Sequence, residues 1–344
     1  MRITKKKEDG IKSFHRQSMI QNTSMRFFWN LPAFIWILIL LGFGIFPSGI
    51  FAKNTTVSTS AFLKLKNVKF RLEDPIYFLV KNLTVEAISN RPGSPVNFND
   101  PSSFHLDIFQ GETEFEISVL EYLFNENIKT FPNFPLRNLK LSTIEVGAKR
   151  KIRILGEYKL VFWVDVEMIC DLELVPNSSL LILKSESMSA AGIPGAGDFL
   201  SYVGVGLKTL LPIPEDRGLK IVEKSFHIQS FSLLPPPKIQ GTIDRIELLP
   251  DRILVRFDSQ KIPLLPKLAF LPGIPNQIAM SGGEIRVGSV FLKNTDLLLI
   301  DQDPSDLLDF HMKNLLLQLS FGNLNLNAKG ELKVFLPDYE DLKK

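Results

Sequence analysis

Between Tyr158 and Leu174 every second residue is apolar: Tyr158, Leu160, Phe162, Val164, Val166, Met168, Cys170, Leu172 and Leu174. The interleaved set, Lys159, Val161, Trp163, Asp165, Glu167, Ile169, Asp171 and Glu173, is mostly charged. Strict alternation places the two sets on opposite faces of a β-strand. Read as one strand, the run would extend about 55 Å at roughly 3.3 Å per residue, against an ordinary ~17–20 Å. A strand of that length predicts a twisted, curled sheet with one apolar face that a further apolar layer must cover. Shorter alternations predict strands from Leu63 onward: Val68/Phe70/Leu72, Ile76/Phe78/Val80 and Leu83/Val85/Ala87. Phe104–Ile108, Phe115–Ile117, Leu139–Val146, Lys151–Leu155 and Ser179–Ser187 read the same way, as do 219–233, 238–257, 278–300 and 315–336.

Helical periodicity enters twice. SVLEYLFNEN (Ser118–Asn127) predicts a short helix capped by Ser118, with Glu121 at capping-box distance. After the turn AGIPGAGD, Asp198–Leu211 predicts a longer helix, apolar on nearly every side through Phe199, Leu200, Tyr202, Val203, Leu207, Leu210 and Leu211. Such a helix is buried, and Gly204 and Gly206 mark where another backbone or a lipid chain comes close. Asn90–Ser103 and Phe131–Pro135 read as loops, and the triplet Pro235–Pro237 marks a junction. The expected fold is α+β, mostly antiparallel β: a strongly curved long-stranded sheet wrapped around one buried helix over 61–257, with a β-rich C-terminal extension over 258–344.

Charge changes the picture at the amino terminus. The first 26 residues hold seven Lys/Arg against Glu8 and Asp9, a net +5, which leaves 33 basic and 35 acidic residues for the rest of the chain. The segment 27–52 has no charged residue, and Ala33–Phe46 is a block of 14 apolar or small residues, short for a spanning helix of about 20. Residues 27–52 therefore read as a signal peptide or membrane anchor after a basic cytoplasmic leader, 1–26, with 53–60 a polar linker. Met25 is an alternative start that would give an ordinary signal sequence. Positive-inside logic places everything after residue 52 outside the cytoplasm, on the periplasmic side of an inner membrane.

The remaining 292 or so residues are nearly neutral, which removes the basic footprint of a nucleic-acid binder. At 45% hydrophobic residues, 27 of them Phe, the 344-residue chain has ample material for a core. The single Cys170 excludes an internal disulfide, and four scattered histidines show no metal-ligand spacing. There is no GxSxG elbow, HExxH, Walker loop or CxxC, and no cofactor is expected. Asp296, Asp301, Asp303, Asp306 and Asp309 form the one suggestive polar cluster. Asp301, Asp303 and Asp306 could offer carboxylates to Ca²⁺, but the EF-hand glycine and Glu are missing and Asp-Pro also builds a strand-to-helix turn. The turn is the reading adopted, and no metal site is assigned.

In order and texture, SVLEYLFNEN, the strand pair 139–155, the run 158–174, the LKSESMSAAGIPG turn, the helix 198–211 and the pair SFSLLPPPKIQGTIDRIELLPDRILVRF form one series. From about Glu114 to Phe257 it resembles the bacterial phospholipid-binding proteins of the LmeA type, in the TULIP class of tubular lipid-binding folds. The stretch GGEIRVGSVFLKNTDLLLIDQDPSDLLDF with ELKVFLPDYEDL is similar to segments of uncharacterised bacterial envelope proteins. The resemblance implies acyl chains held between a curved sheet and a long helix. The expected function is an exported, non-enzymatic phospholipid binder acting at a membrane. The expected groove lining is Phe162, Val164, Val166 and Met168 from the strand, with Phe199, Val203 and Leu210 from the helix. The alternative is a structural envelope protein with a closed core and no ligand.

Overall fold

The computed structural model describes residues 60–130, 134–159, 161–190, 218–258, 269–294, 296–326 and 331–343. The leader, the segment 27–52 and the predicted helix 198–211, with Phe199, Val203 and Leu210, lie outside them. In chain order the elements are β1 (Ser60–Glu73), β2 (Ile76–Ser89), β3 (Val96–Asn97), β4 (Phe104–Glu116), α1 (Ile117–Lys129), β5 (Leu136–Val146), β6 (Lys149–Lys159) and β7 (Trp163–Leu174). There follow β8 (Leu180–Ala190), β9 (Leu219–Val222), β10 (Ser225–Gln229), β11 (Lys238–Gly241), β12 (Ile243–Leu249), β13 (Arg252–Asp258) and β14 (Gln277–Ser281). The chain closes with β15 (Glu284–Val287), β16 (Val290–Lys293), β17 (Leu297–Asp301), β18 (Leu308–His311), α2 (Leu315–Phe321), β19 (Asn323–Leu326) and β20 (Leu332–Leu336). The described residues are thus mostly β with two α-helices, and antiparallel pairing dominates, as the α+β expectation required.

Three sheets form. The largest runs β12-β13-β4-β2-β1-β14-β17-β20-β19, with β11 also on β4 and β18 also on β1. The second is β5-β6-β7-β8-β10-β9, and the third is β16-β15-β3. The longest strands are β1, β2 and β4, at 14, 14 and 13 residues. All three break step at one level. On β1 the buried apolar positions run Ala61, Leu63, Leu65 and then shift to Val68, Phe70, Leu72. Asn67 stands between the two sets with φ 51°, its amide donating to the Pro275 carbonyl at 3.0 Å. On β2 the set changes likewise from Ile76, Phe78, Val80 to Val85, Ala87, and the register against β4 shifts between Val80 and Asn82.

At the same level the outer neighbours change over. β1 pairs with β14 through Phe62–Lys66 and with β18 through Val68–Arg71. β4 pairs with β11 through His105–Ile108 and with β13 through Gln110–Glu116. Irregularities of this kind bend a strand and raise its twist. Aligned across three strands, they bend the sheet along a line through Asn67, Asn82 and Gly111. A single apolar cluster runs from Ala61 on β1 to Leu336 on β20, so strands on both sides of residue 258 share one sheet and one core.

The run 158–174 is not one strand. β6 ends at Lys159, β7 begins at Trp163, and the two pair antiparallel with Lys159 opposite Trp163 and Tyr158 opposite Val164. Cross-strand partners share a face, so alternation continues through a reversal that keeps parity, and the pattern of a hairpin equals that of one long strand. Two further expectations are corrected. Residues 315–321, expected as strand, form α2, and the Asp-Pro turn joins strand β17 to strand β18 rather than to a helix.

α1 begins at Ile117 with Glu116 as its N-cap, and no side chain caps it. The chain passes from β4 into the helix without a loop, so Ser118 falls inside the first turn. Glu121 is used elsewhere: its carboxylate accepts from the Leu141 N–H at 2.8 Å. Asn125 accepts from the Leu139 N–H at 3.0 Å and donates to the Leu139 carbonyl at 2.8 Å. The helix thereby covers part of β5, an edge strand of the second sheet.

Candidate functional site

The bend of the large sheet is lined by apolar side chains from both of its halves. Leu63, Leu65, Val85, Leu106 and Ile108 come from one side, and Phe70, Phe78, Val80 and Phe115 from the other. Phe98, Phe231, Ile239, Phe257 and Met312 complete the wall, with Leu83 at the crease. The space between them is a narrow slot with a cavity volume of about 40 Å³. Thr113 is the one lining residue with a polar side chain, and its hydroxyl donates to the Leu79 carbonyl at 3.2 Å. Packed aromatic pairs hold the shape: Phe78 on Phe115 edge to face at 4.5 Å, and Phe231 on Phe257 at 6.0 Å.

Why the sequence builds this slot follows from the bend. Each long strand alternates apolar and polar on either side of the crease, and the change of parity at 65 to 68 and at 80 to 83 keeps the apolar set on the inner face through the turn. The crease needs β2 and β4 to approach closely. A Cβ on Gly111, whose φ is 138°, would stand 2.2 Å from the Asn82 carbonyl oxygen.

The expected groove residues stand elsewhere. Val164 and Met168 are buried on the inner face of the second sheet and Val166 is half-buried there. Phe162 is 66% exposed in the β6–β7 turn, beside Val161 at 95%. None of these four lines the slot. Cys170 on the same face is fully buried, and burial pushes its thiol up to about 12, as suits a small apolar residue. The sequence carried a signal for the slot in the apolar alternation of 61–87 and 104–115. What it lacked was any mark that the two halves of these strands face one another.

Two polar clusters join the C-terminal residues to β1, β17 and β18. Arg71 on β1 is buried and grips Asp309 on β18 with both arms, at 2.6 and 2.9 Å. It also bonds Asp74 at 3.1 Å and the Glu340 carboxylate. Gln318 on α2 accepts from the His311 N–H and donates to the carbonyls of Asp309 and Pro337, at 2.8, 2.8 and 2.9 Å. His311 lies edge-on to Tyr339 at 4.2 Å. These groups are satisfied among themselves and lock the C-terminus onto β1.

The second cluster brings the Asp301, Asp306 and Asp338 carboxylate oxygens within 4.8 Å of one another, a spacing that suits a cation. Asp338 has no signal in the local sequence, since it joins from 32 residues beyond Asp306. The turn itself is explained without an ion: Asp301 accepts from the Asp303 N–H at 2.9 Å, and Asp303 from the Ser305 N–H at 3.1 Å. Burial, reinforced by the neighbouring carboxylates, pushes the Asp338 carboxyl up to about 7 although it accepts from the Asp309 N–H. Burial raises Asp301 as well. No helix among the described residues is long and apolar enough to cross a membrane. Compared with known proteins, the chain matches no protein-family model, no curated protein and no solved structure.

Proposed function

We propose that this chain is an exported lipid-binding protein that holds an acyl chain in the slot along the crease of its large sheet. The single observation carrying the reading is the lining: a narrow slot walled by apolar side chains, with its one hydroxyl already bonded. A buried apolar wall cannot satisfy a polar ligand, so hydrocarbon is what suits it once the side chains part to admit a chain, and a headgroup stays outside. Transfer of hydrocarbon from water contributes about 25 cal/mol per Å². Export rests on the basic leader and the uncharged segment 27–52. The likeness in texture to LmeA-type proteins, with a TULIP-like wrap about the helix the sequence predicts over 198–211, belongs to this proposal and supports a phospholipid as the source of the chain.

Leu83 lines the slot and is only half-buried, so Leu83→Trp fills the crease with little strain elsewhere. Native mass spectrometry of the purified protein with lipid extraction is expected to find co-purified lipid, and Leu83→Trp to remove it at little cost in melting temperature. A lipid-free protein that also refuses fluorescent acyl lipids sinks the reading.

The second reading, a structural envelope protein with a closed core, draws on a different observation. Edge strand β19 exposes all four of its residues, including Leu324 and Leu326, beside exposed Leu316 and Phe321 of α2. An open apolar edge is a template for strand addition. In that case Leu83→Trp overpacks a closed core and costs about 1–3 kcal/mol. Leu324→Lys with Leu326→Lys would then abolish self-association in sedimentation velocity.

A further inference from the structure

We propose that the tip of the β6–β7 hairpin is a membrane-docking element, which inserts Val161 and Phe162 into the apolar layer of a lipid bilayer with Trp163 at the interface. Hairpin tips are ordinarily closed by Gly, Asn, Asp or Ser, whose backbones suit turns and whose side chains suit water. This tip instead presents Val161 at 95% and Phe162 at 66% exposure, the former the most exposed of the large hydrophobic residues described.

The residues behind the tip follow the strata of a bilayer. Trp163 comes next, with the Arg137 guanidinium 4.0 Å from its ring centroid and the Lys159 ammonium at 5.9 Å. Indole rings favour the headgroup level, and long cationic side chains reach phosphates from there. Two residues further from the tip, on the same face, Glu157 stands opposite Asp165 across the hairpin, and the Glu157 carboxylate accepts from Arg137 at 2.8 Å. Hydrocarbon, then aromatic with cations, then carboxylates in water is the order met on leaving a membrane.

A protein partner fits less well. Two side chains fall far short of the roughly 800 Å² that each side of a stable interface contributes. On the second sheet, the other strongly exposed hydrophobics described are Val146 and Val222, and Val146 lies at the opposite end of β6 from the tip, where it pairs with Lys149. Two inserted side chains do suit shallow, reversible docking to a fluid surface. Around the tip, Arg137 and Lys159 are balanced by Glu157 and Asp165. Insertion rather than charge therefore drives the contact, and a zwitterionic membrane suffices.

The test uses the full chain, since the readout must separate the tip from the apolar segment 27–52. With Trp29→Phe and Trp36→Phe, Trp163 is the sole tryptophan. The protein is reconstituted in phosphatidylcholine vesicles whose acyl chains carry bromine near the glycerol. Bromolipid is expected to quench Trp163 in this parent. In the Val161→Asp, Phe162→Asp variant quenching should fall about tenfold or more, with an unchanged thermal melt because both side chains are exposed. Three results overturn the proposal: an unquenched parent, equal quenching in the variant, or quenching that requires anionic lipid and disappears in high salt. The depth of Trp163 is read independently of slot occupancy, so this proposal and the acyl-chain reading fail separately.

Discussion

Gly111 stands where β4 crosses the Asn82 carbonyl of β2, and its φ of 138° belongs to a region that side-chain-bearing residues rarely adopt. Gly111→Ala meets both obstacles at once: backbone strain and a Cβ inside the van der Waals radius of a buried strand. Equilibrium denaturation is expected to show a loss of about 3 kcal/mol, where a glycine in an ordinary turn would cost little. Asp338 gives a residue-scale prediction in pH. Its carboxyl titrates near 7 in the folded chain against 3.8 ordinarily, because burial disfavours the anion. Below about pH 4 folded and unfolded states are both protonated at this site. As pH rises from there to about 7, the unfolded state releases the proton and the folded state keeps it, so stability falls across that window and is level above it. Asp338→Asn should flatten this part of the profile in thermal melts taken from pH 4 to 8. A variant with the same slope as the parent would assign the pH dependence to another group.

At the scale of elements, α1 shows a local signal put to a tertiary use. Glu121 at capping-box distance from Ser118 reads as a local helix start, yet the helix begins at Ile117 and Glu121 reaches Leu141 on β5. The strand β4 runs straight into the helix, which leaves no non-helical residue at 118 to act as a cap. The free carboxylate and Asn125 then satisfy backbone groups of β5 that an edge strand would otherwise show to solvent or to another chain. Asn125→Ala removes bonds to both the Leu139 N–H and carbonyl. A loss of about 1–3 kcal/mol in denaturant titration is expected, with faster amide exchange at Leu139. The same scale explains the hairpin read as one strand. Between Lys159 and Trp163 stand only Leu160, Val161 and Phe162, none of them a turn-former, and the parity of the reversal hides it.

Across the whole molecule, the C-terminal strands complete the first ones. β1 has its outer edge satisfied by β14 and β18, which arrive more than 200 residues later, and Arg71 is clamped by Asp309 and by Glu340 of the final turn. Arg71→Met leaves the Asp309 carboxylate buried without its partner and should cost about 3–5 kcal/mol. Adding Asp309→Leu should restore much of it, because the cost lies in the orphaned charge. Melting curves of the single and double variants check both statements. If the double variant is as unstable as the single one, the stacked rings of Phe70 and Phe310 on the same two strands are the next place to look.

Period-two alternation determined by itself that 63–87, 104–108, 139–146, 151–155 and 179–187 lie in strands, because that property depends only on neighbouring side chains pointing opposite ways. The α+β class and the predominance of antiparallel pairing follow from the same pattern. The burial of Met168 and Cys170 follows as well. Where a strand stops is a matter of partners, and no residue in the run 158–174 announces them. The apolar alternation supplied the lining, but that the lining encloses a slot was decided by tertiary structure. The slot exists because irregularities at Asn67, Asn82 and Gly111, on three strands up to 44 residues apart, fall on one line. Pairing register sets that line, and register depends on contacts distant in sequence. Asp338 joins Asp301 and Asp306 for the same reason: β20 lies parallel beside β17, and only that pairing brings its far end to the turn.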